Sequence, residues 1–251
     1  MIKELEQTLK RIAKETPQFA DGAEIVASVV KTLRKQGRLP DKLPEQPQET
    51  TVAEQLVIRE RFTEEEKEAL RNNGAVIYTL RGETIQSQKE AQNAKGKPSF
   101  GDIIDAGKRL LAVPAKQCQV AIFPTPDEFF VPGSFNKNTQ TQERLAAEDA
   151  KRLGLESVTQ IIPDTAATLT EITFQHLDAT GGWLFGEEYA AACGLEWVYG
   201  RTKNPTNSSG SHVAYVGDAR PVSGLGVHDW HRGRGRRYVG AVRLVVPIEN
   251  R

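Results

Sequence analysis

Tyr238-Val239-Gly240-Ala241-Val242-Arg243-Leu244-Val245-Val246-Pro247 is the stretch on which the fold turns. Branched aliphatic residues dominate it, and such a run near the chain end reads as a core strand. Val242, Leu244 and Val246 alternate, so they should share the buried side, while Arg243 should face the other way toward a buried or half-buried acid. The preceding residues have the opposite character. His228-Asp229-Trp230-His231 leads into His231-Arg232-Gly233-Arg234-Gly235-Arg236-Arg237-Tyr238, which sets long hydrogen-bonding and aromatic side chains on a glycine-rich backbone. Tyr, Trp and Arg supply much of the binding energy at interfaces, and glycine lets a loop bring them to a partner. We therefore expect a ligand-binding face made of Tyr215, Asp218, Arg220, His228, Asp229, His231, Arg232, Arg234, Arg236, Arg237 and Tyr238, all on one exposed side.

Toward the N-terminus the texture stays irregular as far as Gly181, with Trp183, Phe185, Tyr189, Trp197 and Tyr199 among glycines, which predicts a β region with long loops. Farther back, Thr168 to Leu177 has helical spacing and Ser157 to Ile162 reads as a strand. Asn138 or Thr139 should cap a helix that Gly154 ends, and Gln119 to Phe123 suits a short strand. Ser99-Phe100-Gly101-Asp102 reads as the cap of a helix running to about Leu111, and polar Arg81 to Pro98 as an exposed loop or loose helix. Thr63-Glu64-Glu65-Glu66 carries the capping-box pattern, and Asn73-Gly74 closes that helix before strand-like Ala75 to Leu80. Together these elements predict one α+β domain over 52–251, with an irregular sheet and flanking helices.

Ahead of it, Ile2, Leu5, Leu9 and Ile12, then Ile25, Val26, Val29, Val30 and Leu33, fall at helical spacing before Gly37, predicting a helical hairpin over 1–37. Pro40, Pro44 and Pro47 make 38–51 a Pro-rich linker. Two short amphipathic helices bury little alone, so they suit packing on a second copy or a carrier, an oligomer formed through the N-terminal helices, with packing on the chain's own large domain as the alternative.

Lys+Arg and Asp+Glu both number 33, so no global field attracts nucleic acid or anionic membrane, and charge arguments must be local. No apolar run approaches the ~18 to 20 residues of a membrane helix, so no span is expected. Met1-Ile2-Lys3-Glu4-Leu5 lacks the basic-then-apolar order of a signal peptide, which suits a cytoplasmic protein or one carried to a surface or virus particle by a partner. Cys118 and Cys193 set neither a disulfide framework nor a zinc site.

Catalytic and cofactor templates find little to match. His-Asp-Trp-His among glycines cannot place two imidazoles on one helical face as a zincin does, so no metal is expected. Ser208, Ser209 and Ser211 near His212 lack a nucleophile elbow, and the Gly-rich pieces lack a dinucleotide fingerprint or P-loop. We expect no enzyme and no cofactor. The arginines of 231–238, with glycine spacers, leave a nucleic-acid-binding protein as the alternative to a protein or surface ligand.

Gly240-Ala241-Val242-Arg243-Leu244-Val245 matches the Gly-x-x-Arg-Leu-Val ending of C-type-lectin-fold proteins of the formylglycine-generating-enzyme kind. Within that group the sequence resembles the variable proteins of diversity-generating retroelements, in which adenine-directed mutagenesis rewrites surface residues near the C-terminus. The Asn, His, Asp, Tyr, Arg, Ser and Gly content of Tyr215 to Tyr238 is what such editing leaves. The resemblance covers about Phe123 to Arg251 and implies a C-type-lectin-like domain with its variable region near 212–241. It carries over neither oxidase chemistry, which needs a close cysteine pair, nor calcium binding, because Lys203-Asn204-Pro205-Thr206-Asn207 lacks carboxylates.

Overall fold

The computed structural model describes residues 56–249. These fall within one unit, Leu56–Arg251. The hairpin expected over 1–37, the linker over 38–51 and the assembly role given to them lie outside the described residues.

Local signals start the domain as expected. The Thr63 side chain accepts from the Glu66 amide and the Glu66 carboxylate from the Thr63 amide, which opens α1 (Glu64–Asn72) before β1 (Val76–Thr79). Thr84 and Ser87 form a second such box, so Arg81 to Pro98 resolves into a real helix, α2 (Ile85–Ala94), with Ile85, Gln88 and Gln92 turned inward. The next segment corrects the sequence reading. Phe100–Ile103 is strand β2, and helix is confined to α3 (Lys108–Leu111). Phe100 pairs in parallel with Leu225 and sets its ring edge-on to Phe174 at 5.1 Å, so a distant strand and a core contact override the local cap.

The chain continues through β3 (Gln119–Ile122), α4 (Thr139–Ala150), a 3₁₀ turn (Lys151–Leu153), β4 (Val158–Gln160), α5 (Ala166–Thr180) and α6 (Glu187–Ala192). Asn138 caps α4, and Gly154 takes the left-handed conformation that stops the turn. Strands β5 (Tyr199–Pro205), β6 (His212–Arg220), β7 (Gly224–His231), β8 (Val239–Gly240) and β9 (Val245–Pro247) complete the domain. It is a mixed α+β architecture with two open sheets. One is antiparallel in the order β1-β3-β9-β4; the other runs β2-β7-β6-β5-β8, with parallel outer pairs and antiparallel inner ones. The buried first half of α5 packs on β5 and β6. Gly200 permits that approach, since a Cβ there would meet Leu169, Val242 and Phe185 at 2.8 to 3.0 Å.

Within the deciding stretch, the closing strand expected over Val242 to Val246 is confined to β9, between β3 and β4, and a second short strand, β8, lies beside β5 in the other sheet. Between them the chain bonds to other segments. The Val131 amide donates to the Ala241 carbonyl, the Arg243 amide to the Phe129 carbonyl and the Ile161 amide to the Leu244 carbonyl. Val242, Leu244 and Val246 are at most 1% exposed, as the alternation predicts, but Val245 is equally buried, so this segment has no solvent side. Arg243 does meet an acid, Asp149, through Nε to Oδ2 at 2.9 Å and Nη2 to Oδ1 at 3.3 Å. No helix among the described residues is long and apolar enough to cross a membrane. Cys118 and Cys193 are both free thiols, and burial pushes each pKa up.

Candidate ligand-binding face

The register of β6 against β7 fixes which side chains meet. Val213 lies opposite Trp230, Tyr215 opposite His228 and Gly217 opposite Gly226; the intervening pairs are His212 with His231, Ala214 with Asp229 and Val216 with Val227. Ala214, Val216 and Val227 belong to the main core. Tyr215, His228 and Trp230 therefore project from the other side of the sheet, joined there by Tyr199 and Arg201 of β5, which lie opposite Gly217 and Tyr215.

This overturns the expectation of one shared exposed side. Asp229 and His231 have the parity of the core residues and lie toward the end of the β6–β7 pair on that side. Asp229 accepts a bond from Thr206 Oγ1 at 2.7 Å, and His231 stacks edge-on with His212 at 5.6 Å. Tyr215, at 3% exposure, is not a surface residue at all. Asp218 and Arg220 pair with each other, Oδ1 to Nε at 3.0 Å, toward the β6–β7 turn, where Asp218 holds a left-handed φ of 48°. Arg220, Arg232, Arg234 and Arg237 are exposed, whereas His228, Arg236 and Tyr238 are half-buried. The error has a simple cause: adjacent strand residues point to opposite faces, and a list drawn by composition ignores parity.

What the fold does assemble is an aromatic cluster. Tyr199 lies 4.8 Å from Tyr215, 5.6 Å from His228 and 5.7 Å from Tyr238, all between ring centroids, and Trp197 stacks edge-on with Tyr238 at 5.9 Å. Gly217 leaves the space for this, because a Cβ would fall 2.1 Å from the Val198 carbonyl and 3.0 Å from the Tyr199 ring. Arg236 covers the cluster, its guanidinium carbon 4.3 Å from the Trp230 centroid, 4.7 Å from Tyr238 and 5.5 Å from Tyr215. Burial raises the pKa of Tyr215 to about 12 and that of Tyr199 further still, so both stay neutral hydroxyls at physiological pH.

Beneath the cluster lies Arg201, fully buried. Its Nε donates to Gln142 Oε1 at 3.0 Å and its Nη2 to the carbonyls of Lys137 and Arg234 at 3.4 and 3.3 Å, while Nη1 has no partner. Burial lowers its pKa to about 10, which still leaves it charged at neutral pH. Among the described residues no carboxylate pairs with it.

Trp197, Tyr199, Arg201 and Trp230 were missed by sequence reasoning. Trp230 lay inside the quoted His-Asp-Trp-His run but was passed over for its neighbours. The other three stand outside the variable-looking window: the β5–β6 register brings in Tyr199 and Arg201, and the Tyr238 ring brings in Trp197. Beside the cluster, Trp183, Glu187, Glu188, Trp197 and Asp218 border a groove of about 890 Å³. Among the described residues no group of three or more His, Cys, Asp or Glu could hold a metal ion. In the turn after β5, Ser211 Oγ lies 3.2 Å and Asn207 Nδ2 3.0 Å from His212 Nδ1. No protein-family model, curated protein or solved structure matches the chain.

Proposed function

We propose that this chain is a non-enzymatic, ligand-binding display protein: the variable protein of a diversity-generating retroelement, on a C-type-lectin-like scaffold of the formylglycine-generating-enzyme kind. The observation that carries the reading is the division within 231–247. Arg232, Arg234 and Arg237 stand exposed, and among the described residues their side chains make no hydrogen bond or ion pair. A few residues later Ala241 to Val246 is buried throughout. A surface meant to be rewritten needs this separation, because exposed substitutions usually change stability by only about 0.5 kcal/mol each while buried ones cost several times that. The Gly240 to Val245 ending adds the sequence resemblance. The recognised partner is then a protein or a surface-borne ligand of unassigned identity.

The coding context is the direct test. A reverse-transcriptase gene and a near-copy of the segment encoding 212–241 should lie beside this gene, the copies differing at adenines; a locus with neither rejects the retroelement reading. The alternative, a nucleic-acid-binding protein using 231–238, is separated by salt. Phosphate contacts make affinity fall steeply with salt, so saturable oligonucleotide binding that collapses between low and physiological salt would replace the display reading.

A further inference from the structure

We infer that Arg201 is the positioning residue for the 231–239 loop, holding it through main-chain atoms so that residues 232, 234 and 237 can change without altering its path. The inference rests on the display reading only for what the loop is for; the hold itself is a matter of geometry.

The loop's carbonyls are captured one after another by groups outside its exposed side chains. Arg232 O accepts from the Thr139 amide at 3.0 Å, Arg234 O from Arg201, Gly235 O from Trp230 Nε1 at 3.2 Å and Arg236 O from the Asn136 amide at 3.2 Å. Tyr238 O accepts from the Tyr199 amide at 2.9 Å and Val239 O from Gln142 Nε2 at 3.0 Å. At the other end the Arg232 amide donates to Ser211 O at 2.8 Å. None of these bonds involves the side chain of residue 232, 234 or 237.

Two of the contacts run through one buried hub. Gln142 receives Arg201 Nε on its oxygen and gives its nitrogen to both Ser134 O and Val239 O, so β5, α4, β8 and the 134–139 segment meet there. Arg201 then reaches across to Lys137 O and Arg234 O with a single nitrogen. A buried guanidinium without a carboxylate is costly, and neutral carbonyls are what reduce that cost here. It follows that the cation draws in the two peptide segments it touches. Gly235 fits the same arrangement: a Cβ would fall 2.2 Å from Asn136 O, so this position must stay glycine whatever its neighbours become.

Amide hydrogen exchange on the full chain tests this without any partner, and so without depending on the retroelement reading. In Arg201→Met the amides of Arg232, Asn136 and Thr139 should exchange roughly tenfold faster or more, while those of β3 and α5 keep their wild-type rates. Arg201→Lys, which retains charge but not the planar fork, should fall between the two. Arg232→Ser/Arg234→Ser/Arg237→Ser should leave loop exchange as in wild type. Unchanged loop rates in Arg201→Met, or accelerated ones in the triple variant, overturn the inference. Should Arg201→Met loosen the whole domain, Arg201→Lys is read in its place, and acceleration spread evenly over both sheets in that variant overturns it as well.

Discussion

Two buried arginines divide this domain. Arg243, in the closing segment, has a carboxylate: Asp149 takes two of its nitrogens, and the Glu128 carbonyl takes the third at 3.0 Å. Arg201, beneath the aromatic cluster, has only amide and carbonyl oxygens and one nitrogen with no partner. The contrast separates two ways of using a buried charge. Arg243 ties helix α4 to the chain end by a charge pair, which breaks sharply when either member is removed. Arg201 spreads its charge over main-chain acceptors, which persist whatever side chains surround them.

The largest expected effect tests the charge pair. Asp149→Ala would leave Arg243 buried with only the partly exposed Glu128 carboxylate, 3.9 Å from Nη1, and the Glu128 carbonyl, and should cost about 3 kcal/mol in denaturant unfolding. A loss under about 1 kcal/mol would erase the distinction between the two arginines.

Leu244→Ala should cost about 2 to 5 kcal/mol by the same measurement, since Leu244 is wholly buried and its cavity would sit among the walls of both sheets. A silent Leu244→Ala would undo the division between the buried closing segment and the exposed loop that precedes it.

A pH titration extends the contrast to the scaffold beside β1. His176 Nδ1 lies 2.7 Å from Tyr78 Oη, and burial lowers the His176 pKa, the nearby Glu188 charge opposing this only in part. The unfolded chain then binds this proton more readily than the folded one. The contribution is intact above the unfolded pKa of about 6.5 and is lost as pH falls below it, at no more than about 1.4 kcal/mol per pH unit. His176→Gln should flatten the pH dependence of Tm just below that value; an identical slope in the variant assigns the dependence elsewhere.

Smaller effects are expected at the aromatic cluster and the exposed arginines beside it. Arg236→Ala uncovers Trp230, so it should shift tryptophan emission and cost about 0.5 to 2 kcal/mol. The triple replacement of Arg232, Arg234 and Arg237 should change stability by no more than about 0.5 kcal/mol per site. If Arg236→Ala is as silent as the exposed three, Arg236 belongs with those exposed arginines and not with the cluster.

Read residue by residue, the sequence alone determined what depends on neighbours along the chain. Thr63 with Glu66, Asn138 and Gly154 mark helix ends because capping and left-handed turns are decided within a few residues. Burial of Val242, Leu244 and Val246 follows from the unbroken aliphatic run, and an acid for Arg243 from the cost of a lone buried charge. Only the tertiary structure decided the rest. Phe100–Ile103 is a strand because β7 pairs with it, and the 238–247 stretch splits between two sheets because Phe129, Val131 and Ile161 bond to its middle. The face gathers Tyr199, Arg201, Tyr215, His228 and Trp230, and sheds Asp229 and His231, because a one-residue choice of register sends every side chain to one side of a sheet or the other, and register is set by partners far away in sequence.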